Sequence, residues 1–223
     1  MSQIKLKHSG GNSVIIAAPD SNPASDVTLK LPQADGSVGQ VLKTDGSGNL
    51  SFGAESNDFV KISTTTVSSA VAQVDFDIDA AIYTQALIFI EGMQLESDSN
   101  LYARFKVGGT IQTGNTYMAE SVKKHAGGFD SSQYGGANQS YMYLTNNIGG
   151  DTNESFSGQF RLNLGSGTGM PMLTINTMYK DNASGYAVNF GSAGFQNFNT
   201  INGIRFYSGA NIDAGKFTLY GMK

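Results

Sequence analysis

From residue 58 onward the chain is a succession of short stretches in which apolar and polar residues alternate, each closed by glycine, asparagine or serine. Alternation of period two is strand spacing, because successive side chains of a strand point to opposite faces. Residues 59–66 (FVKISTTT) and 72–78 (AQVDFDI) alternate in this way. Residues 101–107 put Leu101, Ala103, Phe105 and Val107 on one face and Tyr102, Arg104 and Lys106 on the other. Residues 86–93 (ALIFIEGM) form the most hydrophobic run and read as a central buried strand. Further strands are expected at 110–122, 139–146, 155–164, 171–180, 185–190, 200–207 and 215–222. Turn signals at this spacing predict an antiparallel β-sandwich or jelly roll. The one stretch open to a helical reading, 116–125 (TYMAESVKKH), reads equally as a strand followed by a polar loop.

The first 56 residues follow a different rule. Residues 2–9 and 13–18 alternate on either side of Gly10-Gly11-Asn12, which predicts a hairpin. Pro19 and Pro23 bound a loop, and residues 26–31 (DVTLKL) alternate again. Residues 31–52 (LPQADGSVGQVLKTDGSGNLSF) then break short apolar pieces with Asp-Gly and Ser-Gly turns. An isolated hairpin of this size is marginal in water. The segment therefore needs partners, and copies of itself are the expected ones. Its candidate assembly residues are Leu31, Pro32, Asp35, Gly36, Gly39, Val41, Leu42, Asp45, Gly46, Leu50 and Phe52. Residues 53–57 read as a linker. The expected organisation is an all-β chain: a short-stranded arm over 1–56 for oligomerisation and attachment, then a sandwich domain over 57–223.

Composition narrows the function. Charged residues make up 14% of the chain, against about 25% in a typical globular domain. The net charge is −4, and no basic run offers a footprint for nucleic acid. The absence of cysteine removes disulfides, thiolate catalysis and zinc–thiolate sites. No apolar run approaches the roughly 20 residues of a membrane-spanning helix, and the first residues lack the apolar core of a signal peptide.

Catalytic patterns are weak. The two histidines, His8 and His125, fall in separate regions, whereas a triad or a histidine-based zinc site needs its groups in one pocket. Asp75, Asp77 and Asp79 read as the polar face of a strand, and Glu96 and Asp98 as part of a polar loop that could also offer oxygens to Ca²⁺. The glycine-rich run 165–169 has no following lysine and no βαβ setting, so it reads as a turn. No catalytic, cofactor or metal residue is assigned, and a non-enzymatic role is expected. Binding is the remaining expectation. The Gly-, Ser- and Asn-rich insert 123–139 carries Phe129, Tyr134 and Asn138, and aromatic faces with amide groups suit sugar rings and hydroxyls. Tyr141 and Tyr143 alternate on one strand face and read first as packing residues.

The segment 31–52 resembles one found in fibre and other virion structural proteins of tailed phages, especially phages of marine cyanobacteria. There it often ends Leu-Ser-Trp, where this chain has Phe52. The start (residues 1–22) and the finish (residues 203–209 and 215–223) are similar to the same proteins. The resemblance covers about the first quarter and the last tenth of the chain. It implies a tail fibre-like homotrimer, made in the host cytoplasm without a signal peptide and carried on the virion. The implied partners are further copies of the chain, other tail or capsid proteins, and a host-surface glycan or receptor, with no membrane insertion. The alternative role is a capsid-decorating or tail-adaptor protein that binds no receptor.

Overall fold

The computed structural model describes residues 3–17, 19–21, 23–54, 58–125, 127–129, 134–165, 169–182 and 185–223. Every regular element among them is a β-strand, and the chain divides into two compact units, Met1–Ser56 and Asn57–Lys223.

The first unit holds two hairpins. Strands β1 (Gln3–Lys7) and β2 (Ser13–Ala17) pair with Ile4 opposite Ile16. Strands β3 (Gln40–Thr44) and β4 (Leu50–Ala54) pair with Leu42 opposite Phe52. The turn between β3 and β4 is held by the Asp45 carboxylate, which accepts hydrogen bonds from the amides of Ser47 (2.8 Å) and Asn49 (3.1 Å). Glycine is required at position 48: its φ is +87°, and an added Cβ would lie 2.3 Å from the Thr28 carbonyl oxygen. The strand expected at 26–31 does not form. Lys30 makes a single bridge to Asn49, and its neighbours have no partner strand among the described residues. No described residue of this unit is buried; Leu6, Ile16, Leu29 and Leu31 are each at least 60% exposed.

The second unit is an antiparallel β-sandwich built round its last strand. Strands β5 (Phe59–Val67) and β6 (Val71–Asp77) run end to end along one side of β17 (Gly203–Met222). Strands β7 (Gln85–Leu95) and β8 (Leu101–Val107) run end to end along its other side. The two flanking tracks are interrupted at one level, at 68–70 and 96–100, where the unbroken β17 shifts register over 208–211 and the single 13-stranded sheet curls over to form the second layer. The larger sheet continues from β7 through β14 (Phe156–Asn163), β15 (Met172–Asp181), β16 (Gly185–Phe195) and β10 (Tyr117–His125). The smaller sheet adds β9 (Thr110–Ile111) and β13 (Met142–Tyr143) to β8. The sheets meet through aromatic side chains: Phe206 lies 5.4 Å from Phe160, and Phe105 lies 6.0 Å from Phe195 and 5.9 Å from Tyr117.

Several sequence expectations change here. The strands expected at 200–207 and 215–222 are one strand of 20 residues, because neighbours on both sides hold it across the bend. The strand expected at 110–122 is two: Gly108 and Gly109 turn β9 back onto β8 before the chain crosses to β10. The 116–125 stretch is strand β10, with Tyr117, Ala119, Ser121 and Lys123 buried in strict alternation. Of 139–146, only Met142–Tyr143 is strand beyond the last residue of the strand before it.

Two polar features are buried in the second unit, the first of them between the layers. The Tyr117 hydroxyl accepts a hydrogen bond from the Phe105 amide (2.9 Å) and donates to the Gln112 carbonyl (3.0 Å). Burial pushes this phenol up to about 12. The folded state therefore holds its proton more tightly than the unfolded chain does. Stability from this group is complete below pH 10 and falls by up to about 1.4 kcal/mol per pH unit between pH 10 and 12. Tyr117→Phe is expected to cost about 1–3 kcal/mol at neutral pH, because the Phe105 amide loses its acceptor. The same substitution should flatten the alkaline limb of a pH series of urea unfolding curves, and an unchanged limb would refute the assignment. The second feature is the ion pair of Lys123 with Asp181, whose side chains are 6% and 1% exposed. Around it, Asn189 donates to Ser121 Oγ (3.5 Å) and lies 3.0 Å from the hydroxyl of Tyr179, which donates to the Asn146 carbonyl (2.7 Å).

Candidate binding face

The outer face of the smaller sheet carries the densest chemistry in the second unit. Inward residues of β8 and β17 (Leu101, Ala103, Phe105, Ile204, Phe206) fill the core, so strand alternation turns Tyr102, Arg104, Arg205 and Tyr207 outward. Register then sets them in rows. Tyr207 lies opposite both Gln73 and Tyr102, and Tyr102 lies opposite Tyr143. Arg205 lies opposite Asp75 on one side and Arg104 on the other.

The first row is a tyrosine cluster. Ring centroids of Tyr102 lie 4.7 Å from Tyr141, 5.1 Å from Tyr143 and 5.5 Å from Tyr207, and Tyr141 and Tyr143 are 5.3 Å apart. All four side chains are half-buried. The Tyr102 hydroxyl accepts from Asn100 Nδ2 (3.2 Å). Burial, then hydrogen bonding to Tyr141, raises the Tyr143 phenol, and burial raises that of Tyr207. The Arg104 guanidinium lies 4.9 Å above the Tyr207 ring, while its Nε donates to the Ser140 carbonyl (2.9 Å).

Two of the three cations on this face are matched by carboxylates. Arg205 grips Asp75 with two 2.7 Å hydrogen bonds, which raise the guanidinium further above its ordinary range. Lys106 reaches across Gly203 to Asp77 at 2.7 Å. Two of the carboxylates considered for acid–base chemistry are thus held in ion pairs. Asp79 accepts from the Ala81 amide, and Glu96 accepts from Asn211. Asp98 binds Asn182 Nδ2 (2.8 Å) and the Gly150 amide (2.9 Å), and these bonds lower its carboxyl. Asp98 therefore anchors the 146–154 loop to the end of β7. Each histidine accepts a hydrogen bond through Nδ1 from a glycine amide two residues on, Gly10 for His8 and Gly127 for His125. Among the described residues no group of three or more His, Asp or Glu side chains is placed to hold a metal, and no helix is long and apolar enough to cross a membrane.

Within the insert at 123–139 the described residues include strand. Strands β11 (Gly128–Phe129) and β12 (Tyr134–Gln139) pair with the free edge of β10. Phe129 is 64% exposed, with the Lys124 ammonium 5.5 Å from its ring centre. Asn138 is exposed in the left-handed region at φ 59°. The backbone of Tyr134 pairs with Ser121, and its side chain lies outside the described residues, as do residues 130–133 and 166–168. Phe129 and Asn138 stand at the edge of the larger sheet, whereas the tyrosine cluster crosses the smaller one. Sequence reading found Tyr141 and Tyr143. It took them first as packing residues and missed that Tyr102 and Tyr207 join them, the pairing of Tyr102 with Tyr207 joining residues more than 100 positions apart.

The outer face of the larger sheet carries several exposed apolar side chains among polar ones. Met172, Met178, Phe190 and Tyr186 are between 46% and 76% exposed. Met118, Met170 and Met172 border an open groove of about 450 Å³. The second unit is thus defined as an all-β sandwich with one tyrosine-rich and one methionine-rich outer face. No protein-family model, curated protein or solved structure matches the chain.

Proposed function

We propose that the chain is a non-enzymatic virion structural protein, a fibre-like homotrimer of a tailed phage. Residues 1–56 join three copies and attach them to the particle, and the sandwich faces the host surface. The observation that carries this reading is the state of the arm. Its two hairpins expose Ile4, Leu6, Ile15, Ile16, Leu42 and Phe52, with no buried residue described among them. A segment with so little burial cannot offset its own ordering entropy. Association of three arms supplies the missing core, and the resemblance of residues 31–52 to phage fibre segments names the setting.

Light scattering after size exclusion tests it. The full chain should run at three times its 23.6 kDa mass. A variant lacking residues 1–56 should stay folded and run as a monomer. A monomeric full chain, or unfolding of the sandwich on deletion, would sink the reading. The methionine-rich face favours a second role, a decorating or adaptor protein whose sandwich docks on capsid or tail proteins through that face. A gold-labelled antibody distinguishes the two, since it should mark a free appendage in the first case and the particle wall in the second.

A further inference from the structure

We propose that the tyrosine row on the smaller sheet is a binding site for an uncharged saccharide, with pyranose rings laid against Tyr102, Tyr141 and Tyr143. This names the ligand class for the host-facing role proposed above and rests on that reading. It moves the contact away from the 123–139 insert.

Three observations carry it. The first is the clustering of aromatic surface where the fold does not need it. Tyr102 and Tyr207 lie on the solvent side of strands whose other faces already fill the core, and Tyr143, which also packs against the core, completes the cluster. Sugar rings present C–H faces that pack on such rings, and the phenol hydroxyls both donate and accept toward sugar hydroxyls. The second is charge. Arg205 is matched by Asp75 and Lys106 by Asp77, and Arg104 rests on Tyr207 and binds the Ser140 carbonyl. Arg104 is thus the one cation of the three without a carboxylate partner among the described residues, and its guanidinium is held at a ring and a carbonyl, so the face has no cluster of unmatched cations for an anion and a neutral, hydroxyl-rich ligand fits it. The third is rigidity. The rings of Tyr102, Tyr143 and Tyr207 stand on paired strands, and Tyr141 lies on the bend that enters β13. A ring-lined surface held in this way binds with little ordering cost.

The test uses the full-length chain on an array of immobilised neutral oligosaccharides. The chain has ten tyrosines and no tryptophan, so quenching or enhancement of tyrosine fluorescence gives a second readout in solution with any array hit. Binding to a neutral glycan is expected, and Tyr102→Ala and Tyr141→Ala should each weaken it roughly tenfold or more, as loss of an aromatic anchor does. Tyr102→Phe, which keeps the ring and the fold, should weaken binding less. Tyr186→Ala, 76% exposed on the opposite sheet, should leave it unchanged. No binding to any neutral glycan, or binding that survives both Tyr102→Ala and Tyr141→Ala, overturns the proposal. The mass of the same sample separates the two readings. A trimer that ignores sugars refutes the saccharide site and leaves the fibre role standing. A monomer that binds them supports the site and refutes the trimeric fibre.

Discussion

Asp181→Ala is expected to lower the unfolding free energy by about 3–5 kcal/mol, a large share of the 5–15 kcal/mol that holds a domain together. The carboxylate is 1% exposed and pairs with the Lys123 ammonium, itself 6% exposed, between the ends of β15 and β10. Removing it strands a buried cation beside Ser121, Asn189 and Tyr179, where water cannot replace the lost partner. The companion experiment isolates the cause. Replacing both members, Lys123→Met with Asp181→Leu, removes the charge and the need to match it, so most of the lost stability should return. Urea unfolding of the two single variants and the double variant measures the coupling. If Asp181→Ala costs less than about 1 kcal/mol, the pair is not the buried anchor described above.

Phe206→Ala should cost about as much, 3–5 kcal/mol, for an apolar reason. Phe206 is fully buried near the bend of β17, and its ring meets Phe76 in its own sheet, Phe160 in the facing one and Phe217 beyond the bend. The cavity left by truncation is bounded by both layers, neither of which can move alone to fill it. Phe198→Ala, 57% exposed in the loop after β16, should change stability by less than about 0.5 kcal/mol. Thermal or urea unfolding of the pair checks both values, and similar losses at the two positions would contradict the core assignment.

The sequence announced strands well and pairings poorly, for a physical reason. Alternation is local, so Leu101, Ala103 and Phe105 declared their inward face and β15 declared its Leu173, Ile175 and Tyr179. The bend in β17 carries no such signal. Gly209 and Ser208 look like an ordinary turn, and only the neighbours on both sides reveal that the strand continues. Polar residues on an inward face were the other blind spot. Nothing local tells that Lys123 and Asp181 face inward, because each meets its match 58 positions away along the chain. A still longer separation hid the place of Tyr207 in the tyrosine row. In the arm the glycine and aspartate turns were legible, and 26–31 was misread because alternation without a neighbouring strand is not enough to make one.

The order of synthesis gives β17 a further meaning. This strand is the shared partner of β5, β6, β7 and β8, yet it is the last of them to be made. A growing chain displays those four strands, with their apolar faces and open edges, for the whole time needed to translate more than 90 residues between the end of β8 at Val107 and the start of β17 at Gly203. The arm emerges before any of them. If the arms associate as proposed above, nascent arms on one message meet while the sandwiches behind them are still open, and assembly begins before any single domain has closed.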